Sequence, residues 1–164
     1  MDNLQLCNAV EEWVNDYSSS YLSEVKDSLS KEIDCEIYRG DFIHKDEVSI
    51  GGRLYISKGL TSWTTSTEVA YAFSNRHAEN FEEEVEEDEY NELENYRQVI
   101  YVLQGKKKVI DLIEIARGLP LDKHTIGLIA DEEEVILDLK NDTTYIVEEV
   151  RNIKGISYLY IQNN

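Results

Sequence analysis

Gln98-Val99-Ile100-Tyr101-Val102-Leu103 is a short apolar run rich in β-branched and aromatic residues, and it reads as a strand. Working outward toward the C-terminus, strand patterns recur at Val109 to Ile110, Glu134 to Leu139, Thr143 to Val150 and Ile156 to Ile161. A single short helix around Leu112 to Ala116 interrupts them. Toward the N-terminus, residues 3 to 33 place Leu6, Val10, Trp13, Tyr17, Tyr21, Val25 and Leu29 at three- and four-residue steps, the period of an amphipathic helix. Ser18-Ser19-Ser20 is a point at which that helix splits in two. Cys35-Glu36-Ile37-Tyr38-Arg39 alternates as a strand and stops at Gly40, and Leu54-Tyr55-Ile56 is a short strand inside a glycine-containing loop. Helices come first and strands dominate later, with no regular strand-helix alternation to demand a parallel sheet. The expected fold is α+β with a mainly antiparallel sheet, in one domain spanning residues 1 to 164.

The chain carries 34 acidic and 16 basic side chains, a net charge of -18. Such a field repels nucleic-acid phosphates and anionic membrane surfaces, so direct nucleic-acid binding and a membrane partner are not expected. It also opposes an anionic dinucleotide, so a site for one has to gather positive charge and backbone donors locally. Cys7 and Cys35 form no CxxC pair and lie in apolar-patterned segments, which reads as two buried reduced thiols and no metal site. The N-terminal MDNLQLCNAVEEWV has early acids and no basic start before an apolar run. A soluble, monomeric, cytoplasmic protein is expected. Residues 79 to 94 hold acids from Glu79 to Glu94 without a Lys or Arg, and read as a solvated acidic insertion, helical or disordered, rather than core.

Three islands carry candidate chemistry. In the first, alternation puts Arg39 on the face of Cys35 and Ile37, where a guanidinium needs an anion: an internal carboxylate or a ligand phosphate. The second, Leu60 to Phe73, joins hydroxyls and Trp63 to a helix announced by the Thr65-Ser66-Thr67-Glu68 capping box. The box accounts for Thr65 and Ser66 but leaves Ser62 without a local duty. In the third, a strand beginning near Glu132 aims Glu132 and Glu134 to one face, an arrangement that separates the pKa values of two carboxylates.

Taken together, Tyr38-Arg39-Gly40, then Ser62-Trp63-Thr64 leading into Glu68-Val69-Ala70 and Phe73, then Glu132-x-Glu134 before Val135-Ile136-Leu137, resemble the ordered signature of Arg-Ser-Glu ADP-ribosyltransferases of the cholera-toxin-like class. The likeness covers roughly residues 35 to 150 and is greatest to short phage and bacterial effectors. It implies N-terminal helices followed by a two-sheet β core around an NAD cleft. Carried over, it assigns NAD contact to Tyr38, Arg39, Gly40, Ser62, Trp63, Thr64 and Phe73. Within that set Arg39 binds phosphate or ribose, and Ser62 positions the nicotinamide-side ribose. Glu134 bonds the ribose 2'-hydroxyl and stabilises the cationic ribose, and Glu132 serves the acceptor, with arginine the first expectation. Trp63 and Thr64 stand where many members have Thr-Ser. The segment Gly118 to Asp131, with His124 in a loop, lacks the aromatic residue that related toxins present to their targets. The resemblance implies NAD as co-substrate, no metal, and a host protein as target, in the host cytoplasm for a phage-encoded enzyme and directed at host machinery or defence. Two further readings are an NAD glycohydrolase on the same scaffold and a non-enzymatic acidic inhibitor that mimics a polyanion.

Overall fold

The computed structural model describes residues 1–56, 59–139 and 144–163. Helix α1 (Asn3–Asp16) starts where the Asp2 carboxylate accepts the Leu4 amide at 2.9 Å. It ends at Tyr17, whose left-handed backbone (φ 51°) returns its N–H to the Trp13 carbonyl at 2.8 Å. Helix α2 (Ser20–Leu29) begins inside the serine run, because Ser19 caps the Leu22 amide at 3.3 Å. The cap resets the helical phase: Leu6, Val10 and Trp13 of the expected stripe are buried, but in α2 the fully buried residue is Leu22.

The strands are β1 (Lys31–Ile33), β2 (Ile37–His44), β3 (Arg53–Tyr55), β4 (Gly59–Thr64), β5 (Tyr96–Leu103), β6 (Lys107–Asp111), β7 (Glu134–Leu139), β8 (Thr144–Ile153) and β9 (Ile156–Asn163). Thr143, the expected first residue of β8, lies outside the described residues. Helices α3 (Thr67–Glu84), α4 (Leu112–Arg117) and α5 (Lys123–Glu132) complete the regular elements, with short 3-10 segments at Lys45–Glu47 and Glu87–Asn95. The sheet order is β1-β6-β7-β4-β2-β5-β9-β8-β3, and among the described residues only the β5–β9 pairing is parallel. The fold is α+β.

Two half-sheets are recognisable within that order. Among the described residues, β4 and β2 are joined by one residue pair, Tyr38 with Thr64, whereas β4 and β7 pair along their full length from Gly59 to Thr64. The half-sheets close on a shared core containing Trp63, Val135 and Leu137 from one side and Ile37, Val99, Tyr101 and Leu159 from the other. Helices α1, α2, α4 and α5 bury Leu6, Val10, Trp13, Leu22, Leu112 and Ile129 against Ile110 and Ile136 on the outer face of the first half. Helix α3 covers the outer face of the second, where Ala70 meets Ile100 and Val102. That helix sits so low on β2 that a Cβ on Gly40 would lie 1.9 Å from the Ala70 carbonyl oxygen. Only glycine allows this approach.

Three local expectations are corrected. Cys7 is buried but Cys35 is exposed, because β2 begins two residues after it and Cys35 never joins the apolar alternation. The N-cap of α3 is Ser66, which accepts the Val69 amide at 3.3 Å, one residue later than the capping box placed it. The Thr65 amide instead reaches the Glu133 carbonyl at 3.2 Å. The Gly118 to Asp131 segment holds α5, started by the Asp122 cap on Thr125 at 2.7 Å, so His124 lies in a helical first turn and not in a loop. Residues 79 to 84 are helical, one of the two forms the sequence allowed: they continue α3, with Phe81 packed on Phe42 and Tyr96.

Candidate active site

Where the two half-sheets part beyond the Tyr38–Thr64 pair, a cleft of about 340 Å³ opens, within the usual range for small-molecule sites. Tyr38, Arg39 and Gly40 reach it from β2, Ser62, Trp63 and Thr64 from β4, Phe73 from α3, and Glu132 and Glu134 from α5 and β7. These are all the residues singled out by the sequence. Trp13, Tyr17, Arg76, His77 and Asn80 also line it and were not.

Glu134 is the first residue of β7, paired with Thr64 of β4, and is 2% exposed. One carboxylate oxygen, Oε1, accepts the Trp13 indole N–H at 2.7 Å. The other, Oε2, is buried and has no hydrogen-bond partner. Burial raises its pKa; the Ser62 hydroxyl and Trp13 indole pull it down, Glu132 pushes it up and Arg39 lowers it, leaving it at about 7. The Ser62 hydroxyl, left without a local duty by the sequence, thus lies near enough to lower the Glu134 pKa without closing a hydrogen bond on Oε2.

Glu132 reaches the cleft by a different route from the one strand alternation implies. It is the last residue of α5, and Glu133 turns the chain through a left-handed conformation (φ 44°) before β7 begins. A helix end and a single turned residue, not a shared strand face, bring the two carboxylates together. Burial raises the pKa of Glu132, while Arg76 and the approaching Tyr17 hydroxyl lower it.

Arg39 is half-buried in β2 opposite Tyr101. Its Nη1 donates to the Ser62 carbonyl at 2.9 Å, and among the described residues no carboxylate forms an ion pair with it. Asp41, two residues on, is held by the Tyr101 hydroxyl at 2.8 Å. Burial lowers the Arg39 pKa, partly offset by Asp41, Tyr101 and Glu134. A guanidinium has five N–H donors, so most of this fork remains available for an anion. Arg76 adds a second cation at the rim, 5.1 Å above the Phe73 ring.

The remaining cleft residues have structural partners. The Trp63 indole is 2% exposed and donates to Thr61 Oγ1 at 2.9 Å, while Thr61 donates to the Leu137 carbonyl at 2.8 Å. Thr64 Oγ1 donates to the Glu132 carbonyl at 2.8 Å and accepts the Ser66 amide at 3.1 Å. It therefore ties the end of β4 to the turn that carries both glutamates. The Tyr38 hydroxyl donates to Glu36 at 2.7 Å, and its pKa is raised chiefly by burial. Gly40 borders the cleft, but the approach of α3 already accounts for the absence of a side chain there.

No family model matches this chain, and no curated protein matches it significantly in sequence. In outline it is similar to solved structures of Vis from Vibrio splendidus. The complex of Vis with an inhibitor aligns at 15% identity and TM-score 0.49, over 96% of this chain and 66% of that one. Vis is an ADP-ribosyltransferase. A second Vis structure, with agmatine, aligns at 15% identity and TM-score 0.47 over 96% of this chain and 67% of that one. The C3 exoenzyme of Clostridium limosum aligns at 12% identity and TM-score 0.38, over 77% of this chain and 58% of its own. The chain thus spans just under two thirds of the length of the first of these structures. Among the described residues, no His, Cys, Asp and Glu cluster has the geometry of a metal site, and no helix is long and apolar enough to cross a membrane.

Proposed function

We propose that the cleft binds NAD and that the chain is a mono-ADP-ribosyltransferase, breaking the nicotinamide-ribose bond and passing ADP-ribose to a side chain of a host protein. One observation carries the reading: Arg39, whose fork has no carboxylate, and Glu134, whose carboxylate has one unpartnered buried oxygen, line the same cleft. A guanidinium with no carboxylate partner and one unpartnered carboxylate oxygen are matched by one ligand that presents phosphate to the first and a ribose hydroxyl to the second.

Each residue then has a physical task. Arg39 supplies the local positive charge that a chain of net charge -18 otherwise lacks for an anionic ligand. Glu134, once ionised, accepts a ribose hydroxyl through Oε2 and faces the carbon that gains positive charge as nicotinamide departs. A fixed carboxylate in a water-poor cleft is most effective against such a centre. Ser62 steadies the carboxylate and Phe73 offers an aromatic wall. Glu132, half-buried with a raised pKa, is suited to take a proton from an incoming nucleophile or to pair with a cationic one, which keeps arginine as the proposed acceptor.

The test is a host lysate given the purified chain and adenine-labelled NAD, followed by mass spectrometry. ADP-ribosylated protein made by the wild type and absent with Glu134→Gln is the expected result. Nicotinamide release with no modified protein would replace transfer by hydrolysis as the main activity. No release at all would remove the enzymatic reading and turn attention to the acidic 79 to 94 surface.

A further inference from the structure

Trp13 lies outside every stretch on which the proposed chemistry rests, on an N-terminal helix whose other buried residues only fill the core. Its position is unusual in one respect. A buried indole N–H needs an acceptor, and any carbonyl or hydroxyl would serve, as Thr61 serves Trp63 at 2.9 Å. Trp13 instead donates at 2.7 Å to Oε1 of Glu134 across 121 positions of chain, leaving Oε2 as the oxygen without a partner. Trp13 is 1% exposed and belongs to one core cluster with Leu6, Val10 and Ile136, which restrains its ring. Tyr17, one turn further along and edge-on to Trp13 at 6.4 Å, approaches Glu132.

We infer that Trp13 is a positioning residue for Glu134: it pins one carboxylate oxygen so that the other stays turned into the cleft, and makes the end of α1 part of the reaction site. The inference rests on the proposal that Glu134 is the reacting carboxylate. The groups facing Glu134 are Trp13 of α1 and Tyr17 at its C-terminal cap, Arg39 of β2, Ser62 of β4 and Glu132 of α5. Trp13 is the donor among them whose side chain, though it borders the cleft, is almost wholly buried in a core cluster.

The chain has two tryptophans, so a 15N-labelled sample gives two indole N–H resonances, one of which is an internal control. The Trp13 resonance is expected to move with pH as Glu134 titrates, to keep moving in Glu132→Gln, and to stop in Glu134→Gln. The Trp63 resonance, bonded to a hydroxyl, stays still in all three. In Trp13→Phe, nicotinamide release at pH 7 is expected to fall about tenfold or more through kcat, as when a hydrogen bond to an ionised group is lost, with KM for NAD little changed. The midpoint of its pH profile rises by about one unit, because a donor to the charged form is gone. A Trp13 resonance that does not titrate, or still titrates in Glu134→Gln, overturns the inference, as does an unchanged pH midpoint in Trp13→Phe. If that variant fails to fold, the resonance measurement on the wild type decides alone. A titrating Trp13 in a chain that cleaves no NAD supports the contact and overturns the proposed reaction instead.

Discussion

Strand β2 and helix α3 meet at two places a few residues apart, and the two meetings have opposite chemistry. At the far end, Phe42, Phe81 and Tyr96 close on one another with ring centroids 4.4, 5.5 and 5.6 Å apart. At the near end, Gly40 lets α3 descend onto β2, and the space beside it is lined by Arg39, Phe73 and Arg76, facing Glu134 across the cleft. The aromatic end satisfies itself. The cleft end leaves a cation without a carboxylate and a buried carboxylate oxygen without a donor. One contact between two elements thus divides into a part that holds the fold and a part kept open, and substitutions at the two ends should have separable effects.

The largest effect is expected at Glu134. Glu134→Gln keeps the shape and removes the charge, and NAD cleavage should fall by roughly 10²–10³-fold, the loss typical of removing one preorganised electrostatic group. Stability should move the other way. With its folded pKa at about 7, above the ordinary 4.5, the wild type binds an extra proton when folded. Its stability is therefore full at pH below about 4.5, declines as pH rises through 7, and is lower thereafter by on the order of 3 kcal/mol. Denaturant midpoints at pH 5 and pH 8 should show that decline in the wild type and not in Glu134→Gln.

Gly40→Ala comes next and breaks both ends at once. The added Cβ meets backbone, 1.9 Å from Ala70 O and 2.5 Å from Ser74 N, so α3 has to lift. A loss of about 3 kcal/mol in thermal unfolding is expected, at the upper end for overpacking, together with weakened NAD binding. Arg39→Ala should act on the open end only, weakening NAD binding roughly tenfold to a hundredfold by calorimetry. Its melting temperature should not fall, since a half-buried charge without a counter-ion is removed. The smallest effect is that of Phe81→Ala, a stability loss of about 2 kcal/mol for a half-buried ring, with NAD cleavage per folded molecule unchanged. A Phe81→Ala variant that folds fully yet loses cleavage would show that the two ends are not separable.

The same division decides what the sequence revealed. Continuous apolar, β-branched runs such as Gln98 to Leu103 announce strands buried on both faces, and residues 3 to 29 announce helices by their three- and four-residue period. Arg39 and Ser62 stand out in sequence because their chemistry has no use in the local strand or cap. Trp13 does not, since on an amphipathic stripe a tryptophan that fills a core and one that also holds a distant carboxylate look alike. Glu132 shows a related blind spot. A single left-handed residue, Glu133, ends α5 and starts β7, and three consecutive glutamates carry no sign of which will turn. Cys35 misled because an apolar residue one step outside a strand continues its alternation in sequence without sharing its burial.

The central claim is that the cleft between the half-sheets is an NAD site in which ionised Glu134 does the work. Nicotinamide release from NAD, followed from pH 5.5 to 9 for the wild type and Glu134→Gln side by side, tests it most directly. Wild-type kcat/KM should rise through a midpoint of about 7, the pKa of Glu134 in the free protein, and Glu134→Gln should stay far below the wild type with no such rise across the range. A chain that releases no nicotinamide, or a Glu134→Gln variant that releases it as fast as the wild type, would contradict the account.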